Sequence, residues 1–532
     1  MHPREPYSSQ ISFRKIGSCV AESPGLVAGG GATEAEHQTS PLGVSFQSLV
    51  GRLLARPASK NDSKFNISFL CLYRKFTAPL CLLTEIVQRF ESATEGDDPG
   101  LLVLSSQMRY LDILQLWASY HPGDFAHEDV HAFLASFLSR LAMDAQFALA
   151  YKELTPFLHV VDDEDDYERI ALGYSRSRAS TLESFHSTSS TQSAVSTLTA
   201  DSSTSDGGEL TSPRKSSLSQ TVHDSAPSVL DSASERSSSR STGSSQVWLR
   251  TVEDARQQAH FLKPRPCYDL DKIRWHQLVD LPDDQIALEL TRIDWIFYSS
   301  LRLRDLVRHS SLHPEAKERC KSLQYFSSMI QHFNHVALWT ANMVLIRDKP
   351  KHRAVMLEKF MGISWRLRYM NNYNALGAIL AGINGTAVHR LAQTRNLVSP
   401  EAKRQFMRLE ILMGTARSHS AYRLAWQNTS GPRIPFLPLH QRDLVSAEAG
   451  NKTFLGNDAE TCINWRKFEV MGDILMEIQE SQAVPYPSIK RNEEILRLIL
   501  GGKLVTDEDV SFDRLAQILP MDFADSVHLG TL

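Results

Sequence analysis

Cysteine is scarce: Cys19, Cys71, Cys81, Cys267, Cys320 and Cys462 are the six in 532 residues, and none stands in a C-x-x-C spacing. Neither a zinc site nor a disulfide framework can be read from them, so a reducing, intracellular compartment is expected. Excess charge is missing too. A formal net charge of -4 sets up no field for a polyanion, which argues against nucleic acid as a partner. Long apolar runs are interrupted by Arg, Asp or Lys, so no segment is expected to span a membrane. The start, Met1-His-Pro-Arg-Glu-Pro-Tyr7, lacks the apolar core of a signal peptide. The phosphate-binding G-x-x-x-x-G-K-[ST] and the nucleophile G-x-S-x-G are both missing, and Gly29-Gly-Gly31 precedes no phosphate-binding helix. His332 and His335 stand three apart with no carboxylate or cysteine to complete a ligand set. A conventional enzyme is disfavoured, and no cofactor or metal is expected.

Serine is plentiful in one place. From about Leu172 to Gln246 it dominates and aromatics almost vanish, a composition that cannot bury enough apolar area to offset ordering entropy. A disordered linker is expected over 167–246 and a disordered tail over 1–43. Ser212-Pro213, Arg214-Lys-Ser-Ser217 and Arg236-Ser-Ser-Ser239 suit proline-directed or basic-directed kinases, although any serine-rich tract yields such matches by chance.

Helical periodicity fills the rest. Phe69, Leu72, Tyr73 and Phe76 recur at three- and four-residue steps, and Pro79 opens a helix lined by Leu82, Leu83, Ile86, Val87 and Phe90. Tyr110, Leu111, Leu114 and Trp117 repeat the pattern, as do Val130, Phe133, Leu134 and Phe137 beyond the His121-Pro-Gly-Asp124 turn. After a connecting segment over 247–280 that has no clear pattern, Pro282-Asp283 starts a helix with Ile286, Leu290, Ile293, Phe297 and Leu301 on one stripe. Further stripes fall at Leu323, Phe326, Ile330, Phe333 and Ala337, at Leu357, Phe360, Met361 and Ile363, and at Phe468, Met471, Leu475 and Ile478. The fold class is all-α, with a small helical domain over 44–166, a large one over 281–522 and a tail over 523–532.

The stretch Tyr369-Met-Asn-Asn-Tyr-Asn374 and the following Ile383-Asn-Gly-Thr-Ala-Val-His-Arg-Leu391 resemble the core of Ras-type guanine-nucleotide exchange factors. Supporting matches run in order from Ile286-Ala-x-x-Leu-Thr-x-x-Asp294 through Phe333-Asn-x-Val-x-x-Trp339, Tyr422-Arg423, Pro435-Phe436 and Glu448-x-Gly-Asn451. They continue with Ile463-Asn-Trp465, Glu477-Ile-Gln-x-x-Gln482 and Pro485-Tyr486. Upstream, Phe69-Leu-x-x-Tyr-Arg-x-Phe-x-x-Pro79, Leu114-x-x-Trp117 and Asp124-Phe125 are similar to the Ras exchanger motif that accompanies such domains.

The resemblance implies a function without covalent chemistry: a helical hairpin displaces switch I of a Ras-family GTPase so that GDP leaves and GTP loads. Asp443, Leu444, Val445 and Glu448 would sit on the wedge and Asn384 would contact switch II. His389, Arg390, His419 and Tyr422 would serve the docking surface. Asn371, Asn372 and Asn374 read as structural support, capping backbone at a helix junction. From the residues themselves, a short helix runs through Gln441 to Ala449 with little to bury beyond Leu444 and Val445, so it is expected to project outward, and Gly450-Asn451 supplies a left-handed stop.

Three departures from the family pattern stand out. Ala449 replaces a second acid before Gly-Asn; Arg395 and Pro438 replace an aromatic and a glycine; and a C-terminal motif has drifted to Asp509-Val-Ser-Phe-Asp-Arg-Leu-Ala-Gln-Ile-Leu-Pro520. They leave a rival reading open, a scaffold that binds a GTPase without promoting exchange. Ras is the first expectation for partner and a Rap-like protein the next, with the chain cytoplasmic and recruited to the inner face of a membrane.

Overall fold

The computed structural model describes residues 43–56, 59–94, 100–159, 251–456 and 462–505. The expected tail, the serine-rich linker with its candidate phosphorylation sites, and the drifted C-terminal motif lie outside the described residues.

The N-terminal module is helical throughout. Its elements are α1 (Phe46–Leu54), α2 (Lys60–Leu72), α3 (Pro79–Ser92), α4 (Gly100–Tyr120), α5 (Glu128–Leu141) and α6 (Ala148–Leu154). Ser59 and Asp62 form a reciprocal capping box that starts α2, and Pro79 occupies the first turn of α3 as its fixed φ allows. The stripe read from the sequence is the buried one: Leu82, Leu83, Ile86, Val87 and Phe90 of α3 all face the core.

The C-terminal module begins in the segment that has no clear apolar pattern. Residues 251–260 are helical (α7), and Arg256 sinks from them into the core, 1% exposed, to pair with Asp305 at 3.3 Å. Then follow α8 (Lys272–Asp280), α9 (Asp283–Ser299), α10 (Leu303–Ser311), α11 (Pro314–Arg319), α12 (Gln324–Leu345), α13 (Pro350–Tyr369) and α14 (Tyr373–Asn384). After these come α15 (Thr386–His389), α16 (Ala392–Leu397), α17 (Pro400–Met413), α18 (Ala416–Gln427), α19 (Leu437–Gly450), α20 (Trp465–Gln482) and α21 (Glu493–Leu500). Two small pairs of strands complete the described residues: Tyr268–Asp269 runs parallel to Gly502–Lys503, and Phe454–Leu455 antiparallel to Cys462–Ile463.

α14 is the central helix, buried nearly all round, and it lies against α12 and α13. Its approach to α12 is close because Gly382 has no side chain: a Cβ there would sit 2.4 Å from the Ala337 carbonyl oxygen.

The two modules share one core. Phe65 and Phe69 of α2 meet Trp465 with ring centroids 4.9 and 6.1 Å apart, and Phe76 meets Phe468 at 5.1 Å. Burying each such ring contributes about 1.5–3 kcal/mol. A second tie is ionic. Asp124 of the N-terminal module, fully buried, accepts from the Tyr73 hydroxyl at 2.5 Å and Trp117 Nε1 at 2.8 Å. It also accepts from Arg74 at 2.9 Å and, across the joint, from both terminal nitrogens of Arg304. Burial alone would raise its pKa; the Arg304 and Arg74 guanidiniums outweigh that and hold the carboxyl far below the usual carboxylate range.

Candidate functional site

The Asn-Asn-Tyr-Asn junction is built by backbone needs. Asn371 takes a left-handed φ of 55° to turn α13 into α14, and asparagine tolerates that region better than most residues. Its Oδ1 accepts from Arg368 at 2.8 Å. Asn372 caps α14 by accepting from the Ala375 N–H at 3.0 Å, while its Nδ2 donates to Thr291. Asn374 Nδ2 donates to Asp294 Oδ1 at 3.1 Å. Asn372 and Asn374 are buried, so neither is placed to touch a partner.

Behind the junction sits a buried carboxyl–imidazole pair. His332 Nε2 lies 3.4 Å from Asp294 Oδ1, with Asp294 Oδ2 and His332 Nδ1 given no hydrogen bond within the protein. Burial pushes the Asp294 pKa up to about 7, against the hydrogen bonds from Asn372 and Asn374, and pushes His332 down to about 3. Desolvation therefore favours the uncharged form of both groups.

α14 ends at Asn384, which is exposed and donates to Glu410 Oε1 of α17 at 3.0 Å. Arg395, the residue in place of an aromatic, donates to the Ile383 carbonyl at 2.8 Å and so satisfies a carbonyl at the end of α14. His389 and Arg390 are exposed on the turn that follows. Large apolar side chains are left open to solvent on the surface of α17 and of the two helices that follow: Met407 and Ile411 of α17, Leu424 of α18 and Val445 of α19 are 59, 66, 63 and 41% exposed. The Arg423–Asp443 pair, 2.6 Å apart, binds α18 to α19 within this surface. Clustered exposed apolar groups with a polar border are the signature of a contact face.

Two expected contact residues are buried instead. Tyr422 is 0% exposed; its hydroxyl meets His440 at 2.8 Å and accepts the Phe436 N–H at 2.9 Å. His419 is buried against Phe436 at the end of three consecutive left-handed residues, Arg417, Ser418 and His419 with φ of 48, 54 and 61°. Such a run breaks α18 at its start, and non-glycine residues rarely adopt it. These two side chains position the Pro435-Phe436 approach to α19 rather than forming the surface.

α19 itself differs from the expected projecting helix. It starts earlier, with Pro438 in its first turn where the proline ring costs no hydrogen bond. Leu437, Leu439, His440, Gln441, Leu444 and Ala447 are buried, so one side of α19 lies in the core against α10 and α20. Leu444, fully buried, packs inward and Val445 outward. Glu448 also turns inward, 3.1 Å from Lys75 of the N-terminal module and 3.4 Å from Lys467. No left-handed stop occurs: Gly450 is the last helical residue, Asn451 is extended at φ -133°, and the Asn451 amide caps the Ala447 carbonyl at 3.2 Å. Ala449 is exposed and adds no charge to the end of the helix.

One pattern the sequence reading passed over is His127-Glu-Asp-Val-His131, the H-E-x-x-H spacing of zinc proteases. The structure gives it another use. His127 precedes α5 instead of lying on it, and His131 Nε2 bonds the Leu158 carbonyl at 3.0 Å. No group of three potential metal ligands gathers among the described residues.

The comparisons with known proteins agree with this architecture. Residues 285–469 match the RasGEF domain and residues 41–140 the RasGEF N-terminal motif. The chain thus carries a RasGEF domain preceded by a RasGEF N-terminal motif. It is 34% identical to Ras guanine nucleotide exchange factor A of Dictyostelium discoideum over 39% of this chain and 34% of that protein. Rap guanine nucleotide exchange factor 5 of Homo sapiens is 27% identical over 44% of this chain and 40% of its own length. Ras guanine nucleotide exchange factor K of Dictyostelium discoideum is 26% identical over 80% of this chain and 28% of its own length. The alignments thus take in between 28 and 40% of these relatives' own lengths. No described helix is long and apolar enough to cross a membrane.

Proposed function

We propose that the chain is a guanine-nucleotide exchange factor for a Ras-family GTPase. It docks the GTPase on the face running from Asn384 to Val445 and uses the outer side of α19 to displace switch I. The observation that carries the reading is the exposed Asn384–Glu410 hydrogen bond, together with the large apolar side chains left open on α17, α18 and α19, inside the segment that matches the RasGEF domain. Binding energy at this face is exchanged for nucleotide affinity: each partner weakens the other's hold by the same factor, and incoming nucleotide releases the exchange factor in turn. No bond is made or broken, so the domain needs positioned surface rather than a cofactor.

Within that face Asn384, His389 and Arg390 are the polar contacts, Val445 is the apolar residue of the wedge, and Asp443 fixes the wedge through Arg423. Leu444 and Glu448 act from the inner side by holding α19 in place. Ras is the first candidate for the partner and a Rap-like GTPase the second, with membrane recruitment through that partner.

The test is release of a fluorescent GDP analogue from Ras-, Rap- and Ral-type GTPases with the full chain added in catalytic amounts. Acceleration on one of them that is lost in Asn384→Ala supports the reading and names the substrate. The second reading, a scaffold, is favoured by Ala449. A scaffold gives no acceleration, and its complex with nucleotide-free GTPase does not dissociate when GDP or GTP is added.

A further inference from the structure

A basic surface lies where the start of α8 meets the loop between α12 and α13. Arg347 connects the two elements: its guanidinium lies 5.2 Å over the ring of Trp275 and 3.1 Å from His352 Nδ1. Trp275 in turn is 5.9 Å from His352 and 4.9 Å from His276. Around this stack Lys272, His276, Lys349 and Lys351 are exposed. Ile273, one step along α8 and on the same side as His276, is 70% exposed.

The charge here is not internally balanced. Lys272, Lys349 and Lys351 have no carboxylate partner among the described residues. Of the nearby acids, Asp271 is occupied in capping α8 by accepting from the Arg274 N–H at 2.9 Å, and Asp348 is a single charge against the lysines and Arg347. Partial burial and then the charges of Arg347, Lys351 and Lys349, with His276, hold the His352 pKa below its ordinary value. In a chain whose formal net charge is -4, this is a local reversal of sign.

We propose that this surface binds an anionic phospholipid bilayer, with Lys272, Arg347, Lys349 and Lys351 meeting the headgroups and Ile273 entering the interface. The chemistry matches on two counts. Unpaired lysines on a short loop attract a negative membrane at about 1 kcal/mol each, and an exposed aliphatic side chain among them gains by leaving water for the acyl boundary. A soluble acidic partner would use the charge but leave Ile273 wet. The surface belongs to the chain itself, so membrane contact through it does not depend on the GTPase and stands or falls separately from the exchange reading.

The experiment is co-sedimentation of the full chain with vesicles of phosphatidylcholine alone and of phosphatidylcholine with phosphatidylserine. Binding is expected only with the anionic lipid, decreasing as salt rises. The Lys349→Glu, Lys351→Glu double variant should lower it by about tenfold or more, and Ile273→Ser by a smaller factor that salt does not change. Exchange on a GTPase free in solution should be the same for all three proteins. Equal vesicle binding by the double variant would overturn the proposal, as would binding indifferent to lipid charge. Charge-dependent binding to polyglutamate or to duplex DNA, with none to vesicles, would overturn it in favour of a soluble polyanion.

Discussion

The two sides of α19 make opposite demands on the same helix. The inner side, with Leu444 and Ala447 in the core and Glu448 between Lys75 and Lys467, is joined to the N-terminal module. The outer side, with Val445 41% exposed and Ala449 exposed, is left open among the described residues. If α19 presses on another protein, as proposed, it needs a backing that does not yield, and the inner side supplies one from a module hundreds of residues earlier in the chain. Residues one position apart thus differ in what they can do: Leu444 is held in the core, and under the proposed docking Val445 is the one left to touch.

Breaking the backing should have the largest effect. Arg304→Met removes the cross-module partner of Asp124 and leaves a buried carboxylate short of donors, which costs about 3–5 kcal/mol. Urea unfolding should show that loss, and exchange should fall with it. Gly382→Ala forces α14 away from the Ala337 carbonyl and is expected to cost about 1–3 kcal/mol in the same assay. Either variant retaining full stability would mean that the core does not hold the wedge in the way the contacts indicate.

The outer side should behave in the reverse manner. Val445→Asp and Asn384→Ala alter exposed groups, so unfolding midpoints should stay within about 0.5 kcal/mol of the parent while exchange is lost. Glu448→Gln lies between: the Lys75 and Lys467 ammoniums lose an opposing charge, so a moderate loss of stability should accompany a partial loss of exchange. If Glu448→Gln abolished exchange with no change in stability, Glu448 would have to be moved to the touching side.

How legible this division was depended on the distance over which the information lay. The helices of both modules could be read from apolar residues at three- and four-residue steps, because that periodicity is local; Leu82 to Phe90 and Ile286 to Phe297 are buried as their spacing implies. The amide junction was legible as structure, since asparagines between two helices have backbone to satisfy. The inward side of α19 was not. Its partners Lys75, Lys467 and α10 are far away in sequence, and nothing in Leu437–Gly450 alone shows that Glu448 is answered from the N-terminal module. Tyr422 and His419 were misplaced for a related reason: a helix that packs near a surface turns most of its side chains away from it. Residues 251–280 gave no pattern because Arg256, a charged residue at a core position, disguises the stripe.

A final expected effect concerns the Asp294–His332 pair behind the junction, and it depends on pH. Asp294 has a pKa of 3.8 when free and about 7 when folded, so between those values the folded chain keeps a proton that the unfolded chain has released. Stability from this group therefore falls as pH rises from about 4 to about 7 and is level on either side. The buried, neutral His332 and His440, both pushed down to about 3, act in the opposite sense, because the unfolded chain binds protons there as pH drops below 6.5. The two signs overlap, so the informative quantity is the difference between the parent and Asp294→Asn. The asparagine can still accept from Asn374, carries no charge at any pH, and should be the more stable protein near pH 7 by on the order of 4 kcal/mol, the advantage vanishing by about pH 4. Unfolding curves for the two proteins across that range decide it. A difference that stays constant with pH would show that Asp294 ionises in the folded chain as it does in the unfolded one, and that burial does not hold its proton.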